Sequence, residues 1–353
     1  LDAGSAGIDA TNEAQHWHTP KNEREFDRSP QKAMWQTARE LKWSQYEALD
    51  MFRWTEVSTI DRSKFRIYNT LWVYKIKLFA DLTFNKLNPR WCLKGGGMDR
   101  NMYKSHAETL RMYSFRIIIA CKGGYYEFFC CFLLDCSNAF QNTRTDTGDD
   151  AELFCWPPAG FERRNSRGER MALQILVGMQ GRIDATLLFS TRLFKLLANA
   201  RMFRCMWDSQ VVIYHVGPLV GTDSSLTDIL NSVKGAKDSG PGEPPVGFAV
   251  MGWHVDDATG LACDTKLEMD PSKNRVVNFI QGHIETEYAT TKTGWHGQKA
   301  LGFLLMCYDA ERQVTMSAPD AIRQLASTLL ADQVGLNPKH IMMSDIMELE
   351  AGV

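Results

Sequence analysis

No run of eighteen or more apolar residues occurs in this chain of 353 residues, so nothing in it reads as a membrane-spanning helix. The longest apolar stretch, Phe128 to Leu134, has the length of a buried strand. No C-x-x-C pair occurs, and the nine cysteines (Cys92, Cys121, Cys130, Cys131, Cys136, Cys155, Cys205, Cys263, Cys307) are odd in number. That argues against a zinc site or a disulfide framework. Several of them sit inside apolar runs, as small core residues do in a reducing intracellular compartment. A G-x-S-x-G elbow, a phosphate loop and a G-x-G-x-x-G fingerprint are all missing, which removes three common enzyme readings. Lys94-Gly-Gly-Gly97 lacks the Gly-Lys-Ser/Thr that a phosphate loop needs downstream. The one close histidine pair, His16-x-His18, lies in a polar stretch and reads as a tail contact. There is no internal repeat and no heptad. The chain opens Leu-Asp-Ala-Gly-Ser, without Met or a basic-then-apolar signal, as expected of a fragment, a processed polyprotein or an incomplete gene.

Charge of one sign is also scarce overall, with a net charge of −2. The average hides an asymmetry: between Asp61 and Gly124 thirteen Lys or Arg stand against four acids, Asp61, Asp81, Asp99 and Glu108. A basic segment in a neutral chain suits a phosphate-binding surface, and equally suits a solvated basic face. The hydrophobic fraction of 44% and charged fraction of 23% are those of an ordinary globular chain, and the length suggests two or three subdomains.

Local signals outline the elements. Residues 1–28 read as a polar arm. Ser29-Pro30 predicts a helix start, with Ser as cap and Pro in the first turn, running from Gln31 to about Leu49. Alternation from Trp72 to Leu78 predicts one half-buried strand. Tyr113 to Cys121 fits a helix or a buried strand. Leu187 to Ala200 has helical spacing, as do Val276, Val277, Phe279, Ile280 and Ile284. Residues 216–246, rich in Gly, Pro, Ser and Asp, read as a flexible insertion. Ser317-Ala-Pro-Asp320 predicts a helix through Leu330.

The chemistry-bearing pattern is acidic. The apolar run Glu127–Leu134 ends at Asp135, and the runs Phe248–Trp253 and Ala258–Cys263 flank Asp256-Asp257 as a β-hairpin with two acids at its tip. If these strands are neighbours, three carboxylates project from rigid positions, as a two-ion phosphoryl-transfer site requires. Taken singly, each reads as well as a turn or cap residue. Asp149-Asp150 has no apolar strand leading in and reads as loop.

Order and spacing add more than any one element. Trp54-Thr-Glu-Val57, Trp72-Val-Tyr-Lys-Ile-Lys77, Arg90-Trp-Cys-Leu-Lys94-Gly95, Glu108 to Arg116, Leu134-Asp135-Cys-Ser-Asn-Ala139-Phe140, Phe154-Cys-Trp-Pro157-Pro158-Ala-Gly160-Phe161, Gly178-Met-Gln-Gly181-Arg-Ile-Asp184-Ala185, His254-Val255-Asp256-Asp257 and Leu301-Gly302 occur in sequence. Together they resemble the reverse transcriptase domain of copia-type LTR retrotransposons over roughly residues 29–330. The resemblance implies an α+β right-hand polymerase, with an antiparallel palm sheet backed by helices. It divides the chain into a polar arm (1–28), a lead-in helix with basic fingers (29–125), a palm (126–290) and a palm end with partial thumb (291–353). It implies RNA-directed DNA synthesis, with two Mg²⁺ ions on Asp135, Asp256 and Asp257 and with Phe140 selecting deoxyribose. Arg90, Lys94 and Gln180 become candidate substrate contacts, and a primed RNA or DNA template with deoxynucleotides the partners. The chain departs from the pattern at His254, where the family has Tyr, and in a longer loop after His215. A catalytically silent subunit of a larger protein assembly is the alternative reading.

Overall fold

The computed structural model describes residues 18–78, 84–103, 107–145, 152–218, 224–240, 242–296, 298–301, 303–308 and 312–317. In chain order these form α1 (Glu23–Asp27), α2 (Lys32–Ala48), β1 (Phe52–Glu56), β2 (Ile67–Tyr68), β3 (Thr70–Val73), β4 (Ile76–Leu78), β5 (Phe84–Leu87), β6 (Arg90–Leu93), α3 (Met112–Gly124), β7 (Cys130–Cys136), α4 (Ala139–Asn142), β8 (Leu153–Cys155), β9 (Met171–Ile175), α5 (Ala185–Asn199), β10 (Met202–Arg204), β11 (Val211–Val216), α6 (Leu226–Lys234), β12 (Gly247–His254), β13 (Asp257–Asp264), α7 (Arg275–Ile284), β14 (Thr290–Thr293), β15 (Gln298–Ala300), β16 (Phe303–Tyr308) and β17 (Gln313–Ser317). The class is α+β. The chain falls into two units, 1–107 with 138–193 and 108–137 with 194–353, so the division lies inside α5.

The first unit carries a mixed sheet in the order β1-β9-β8-β2 and two ribbons, β3-β6 and β4-β5. Its core is unusually aromatic: Trp35, Trp43, Tyr46, Trp72, Tyr74 and Trp91 are all buried in one cluster. Burial alternates as expected through Trp72, Val73, Tyr74 and Lys75. The expected single strand is nonetheless split, because β3 pairs with β6 while β4 turns to pair with β5. The helix after Ser29 starts at Lys32, and Gln31 holds the cap position. Ser29 instead closes a turn, its Oγ accepting from the Gln31 N–H at 3.2 Å. The expected arm is packed from His18 onward. Phe26 of α1 is buried, and Glu23 accepts from Arg39 at 3.1 Å and from the Tyr74 hydroxyl at 3.0 Å.

The second unit is built on a fully antiparallel sheet in the order β10-β11-β12-β13-β7-β14, with a small sheet β15-β16-β17 beside it. Side chains alternate across the sheet. Val211, Phe248, Val250, Leu261 and Cys263 share a core with Phe115 and Ile118 of α3 and with Leu230 and Val233 of α6. The space above Gly247 on the opposite face is filled by Val276 of α7. Tyr113–Cys121, open between helix and strand in sequence, is helical within α3. The stretch 216–246 is no featureless insertion where it is described. Ser225 and Asp228 form a reciprocal capping box that starts α6. Leu230 and Val233 are fully buried, each contributing about 2 kcal/mol relative to exposure. The expected 317–330 helix and Asp149-Asp150 lie outside the described residues, apart from Ser317 itself, which ends β17.

In the first unit two glycines make a close backbone crossing. Leu93 N–H donates to the Gln180 carbonyl at 2.8 Å, and Gly181 adopts φ +84° against Leu93 while Gly95 lies on Gly181. A Cβ on either glycine would fall inside the facing backbone. Gly95→Ala and Gly181→Ala should each destabilise the protein by about 3 kcal/mol. Urea denaturation checks this, and an unchanged midpoint in both variants would refute the close crossing.

Candidate functional site

Two strands and one turn assemble the acids. In the hairpin, His254 pairs with Asp257, leaving Val255-Asp256 as a two-residue connection. Val255 sits at φ +57°, a region that a β-branched residue rarely enters and that costs on the order of 1–3 kcal/mol. The eight-residue ladders on either side hold it there. On its other edge β13 pairs with β7 in a register that puts Asp257 directly opposite Asp135, about 5 Å between Cα atoms. β14 completes the row by pairing Thr291 with Asp135. His254, Asp257, Asp135 and Thr291 therefore line up across four strands, on the sheet face that carries α3. Cys136 N–H donates to the Asp256 carbonyl at 2.9 Å, which ties the turn to the end of β7.

The rim is open. Asp135 and Asp257 are exposed, and Asp256 is half-buried. Desolvation, the neighbouring Asp256 charge, and the side-chain hydrogen bond and charge of Asp135 together push the Asp257 carboxyl up to about 7. The Asp257 carboxyl therefore keeps its proton well above the ordinary carboxylate range. Beneath it lies a cavity of about 290 Å³, walled by Leu110, Gly252, Thr259, Thr293 and Gln298 as well as the acids. The His254 Nδ1 is buried with no hydrogen-bond partner among the described residues.

The remaining sequence candidates lie in the first unit. Arg90, Cys92 and Lys94 alternate with buried Trp91 and Leu93, so β6 presents them on its open face. The Gln180 side chain joins that face, its Oε1 3.8 Å from Cys92 Sγ. Phe140 lies half-buried in α4, edge-on to Phe189 with centroids 6.3 Å apart. The structure thus gathers Asp135, Asp256 and Asp257 in one unit, and Arg90, Lys94 and Gln180 in the other. One of the thirteen basic residues is not surface at all. Lys122 is buried and donates to the Tyr126 and Phe129 carbonyls at 2.7 and 2.8 Å, holding the end of α3 to the start of β7.

Sequence reasoning missed Thr291, Thr293 and Gln298. The β-branched run Thr290-Thr291-Lys292-Thr293 was the available strand signal. Among the described residues no three His, Cys, Asp or Glu side chains converge as a ready-made metal cage. What the rim offers is hard oxygen donors, two of them open to solvent, a set suited to Mg²⁺ that keeps water or substrate oxygens in its shell. No family model and no curated protein matches this chain.

The raised pKa of Asp257 sets a signed pH effect. Asp257 is neutral well below 7, and its ionisation on going upward is unfavourable to the folded state, so its contribution is lost as pH rises through about 7. In chelator-containing buffer, Asp257→Asn should match the native chain at pH 3, below the ordinary carboxyl value of 3.8, and exceed it in urea midpoint at pH 8. An equal difference at both pH values would contradict the strained pair.

Proposed function

We propose that this chain is a template-directed DNA polymerase of the copia reverse transcriptase kind, acting on a primed RNA template. The observation that carries the reading is the register of β13 on β7, with Asp257 facing Asp135 and Asp256 at the adjoining turn. The ordered motifs from Trp54 to Leu301 support it, and the choice of RNA as template rests on that resemblance alone. In this reading the six-stranded sheet is the palm, the β6 region belongs to the fingers, and residues 291–353 are the palm end and a partial thumb.

Bound Mg²⁺ would lower the pKa of the primer 3′ hydroxyl and neutralise charge on the transferring phosphate. The chain's own part is positional. Asp135 and Asp257 present carboxylate oxygens from adjacent strands, which spares any reorganisation at the moment of reaction. Asp256 adds a third carboxylate from a turn that the Cys136 N–H clamps. Cationic charge beside Asp257 would favour its ionised form. No protein nucleophile is needed, since the primer hydroxyl attacks the α-phosphate and pyrophosphate leaves. Arg90 and Lys94 would meet the triphosphate, Gln180 the nucleotide or template, and the Phe140 ring would stand against a 2′ hydroxyl. His254 replaces a larger aromatic beside the acids and leaves more room there.

Primer extension tests this. Native chain, primed RNA, deoxynucleotides and Mg²⁺ should give extended product, and Asp256→Asn should lower the rate by about a hundredfold or more, since metal-borne charge stabilisation is worth several kcal/mol. Phe140→Ala should admit ribonucleotides that the native chain rejects. A folded native chain that extends nothing with Mg²⁺ or Mn²⁺ would sink the reading and leave the fold as that of a silent subunit.

A further inference from the structure

The most exposed apolar side chains of the second unit are not scattered. Met206 and Trp207 stand 87% and 77% exposed at the tip of the β10–β11 hairpin, and Phe203 on β10 is 58% exposed. On α3, Tyr113 and Ile117 are 78% and 62% exposed at i, i+4 spacing, so they share one helix stripe. Two contacts join helix and hairpin. Arg111 N–H, at the N-cap of α3, donates to Asp208 Oδ2 at 3.0 Å, and Arg204 lies 3.8 Å from Glu108 just upstream of the helix. Phe203 pairs with Ile213, which pairs with Val250, a residue of the core beneath α3. Phe203 therefore points to the same sheet face as α3.

The patch also has a charge and an address. Arg111 and Arg116 lie on the exposed side of α3 with no acidic partner among the described residues, and Arg201 precedes β10, which Arg204 ends. Of the nearby acids, Glu108 is paired with Arg204, and Asp208 is buried and accepts from the Arg111 and Gln210 N–H groups. Val211 at the hairpin tip pairs with Gly252, and Gln210 accepts from Trp253 N–H at 2.8 Å, so this tip and the Val255-Asp256 turn emerge at the same end of one sheet. Only β12 separates β11 from β13, which is about 10 Å at ordinary strand spacing. Bare aromatic faces interleaved with exposed arginines suit a polyanion with π-faces, because bases stack on rings of any sequence context while guanidinium groups meet the backbone.

We propose that the β10–β11 tip and the outer stripe of α3 form a stacking platform for single-stranded nucleic acid, with Trp207 and Tyr113 as base-stacking residues and Arg111 and Arg116 as backbone contacts. The proposal deepens the polymerase reading, since it places a strand beside the acid rim, yet its test needs no chemistry. Anisotropy of a labelled twelve-nucleotide oligo(dT) with the full native chain should report binding that weakens with salt. Trp207→Ala and Tyr113→Ala should each weaken it about tenfold, and Arg111→Gln should reduce the salt dependence, all with unaltered thermal unfolding. Quenching of the native chain's tryptophan emission by the oligonucleotide, diminished in Trp207→Phe, is the second readout. Oligonucleotide binding indifferent to Trp207 and Tyr113 overturns the platform. So does a native dimer that Trp207→Ala converts to monomer while binding stays unchanged, which would mark the patch as a contact between copies. Binding that depends on Trp207 in a chain that extends no primer would uphold the platform and remove the polymerase reading, and extension with Trp207-independent binding would do the reverse.

Discussion

The register of β13 between β12 and β7 is the constraint from which the site follows. Side chains repeat every second residue along a strand, so a slip of one position would turn Asp257 to the opposite face and bring Ala258 to the rim. Glycines resist such a slip. Gly260 lies under the Phe132 ring and beside Met251, and Gly252 leaves the space that Leu110 and Ile118 of α3 occupy. Any other residue of β13 shifted into the Gly260 position would bring a side chain onto that ring. Trp295 adds a further pin, its indole N–H donating to the Phe132 carbonyl at 3.0 Å from beyond β14. The acids are thus held by packing several residues away from them, where no charge is involved.

That separation of duties has an electrostatic consequence. Two carboxylates held opposite one another repel, and the scaffold that fixes their strands supplies the restraint. The cost appears as a proton retained by Asp257 near neutral pH and as a valine held at positive φ in the adjoining turn. Cys136, next along β7, points to the buried face, and burial pushes its thiol up to about 12, which keeps its sulfur off the rim. The row His254, Asp257, Asp135 and Thr291 runs across four strands and needs no loop to hold it.

Much of this was legible in the residues. Apolar runs ending at acids announced β7 and the β12–β13 hairpin, because a strand buried on both faces leaves a plain hydrophobic signature. Helical spacing announced α5 and α7. What escaped was set by partners that are distant in sequence. Trp72 to Leu78 alternates without interruption, and only the change of partner from β6 to β5 breaks it. Lys122 looked like one more surface cation, since nothing local reveals two carbonyls waiting at 2.7 and 2.8 Å. The Gly, Pro and Ser content of 216–246 masked α6, although Ser225 followed by Asp228 carried a cap signal. Thr291 entered the site through strand pairing, and its β-branched neighbourhood gave only the strand.

Replacement of Mg²⁺ by Fe²⁺, followed by ascorbate and peroxide, cuts a polypeptide within a few ångströms of the bound ion and so asks directly whether the acid rim holds a divalent cation. The account predicts cuts confined to the chain around Asp135, Asp256 and Thr291, suppressed by excess Mg²⁺ and absent in Asp135→Asn. Cleavage that spares these three segments, or that persists there unchanged in Asp135→Asn, would contradict it.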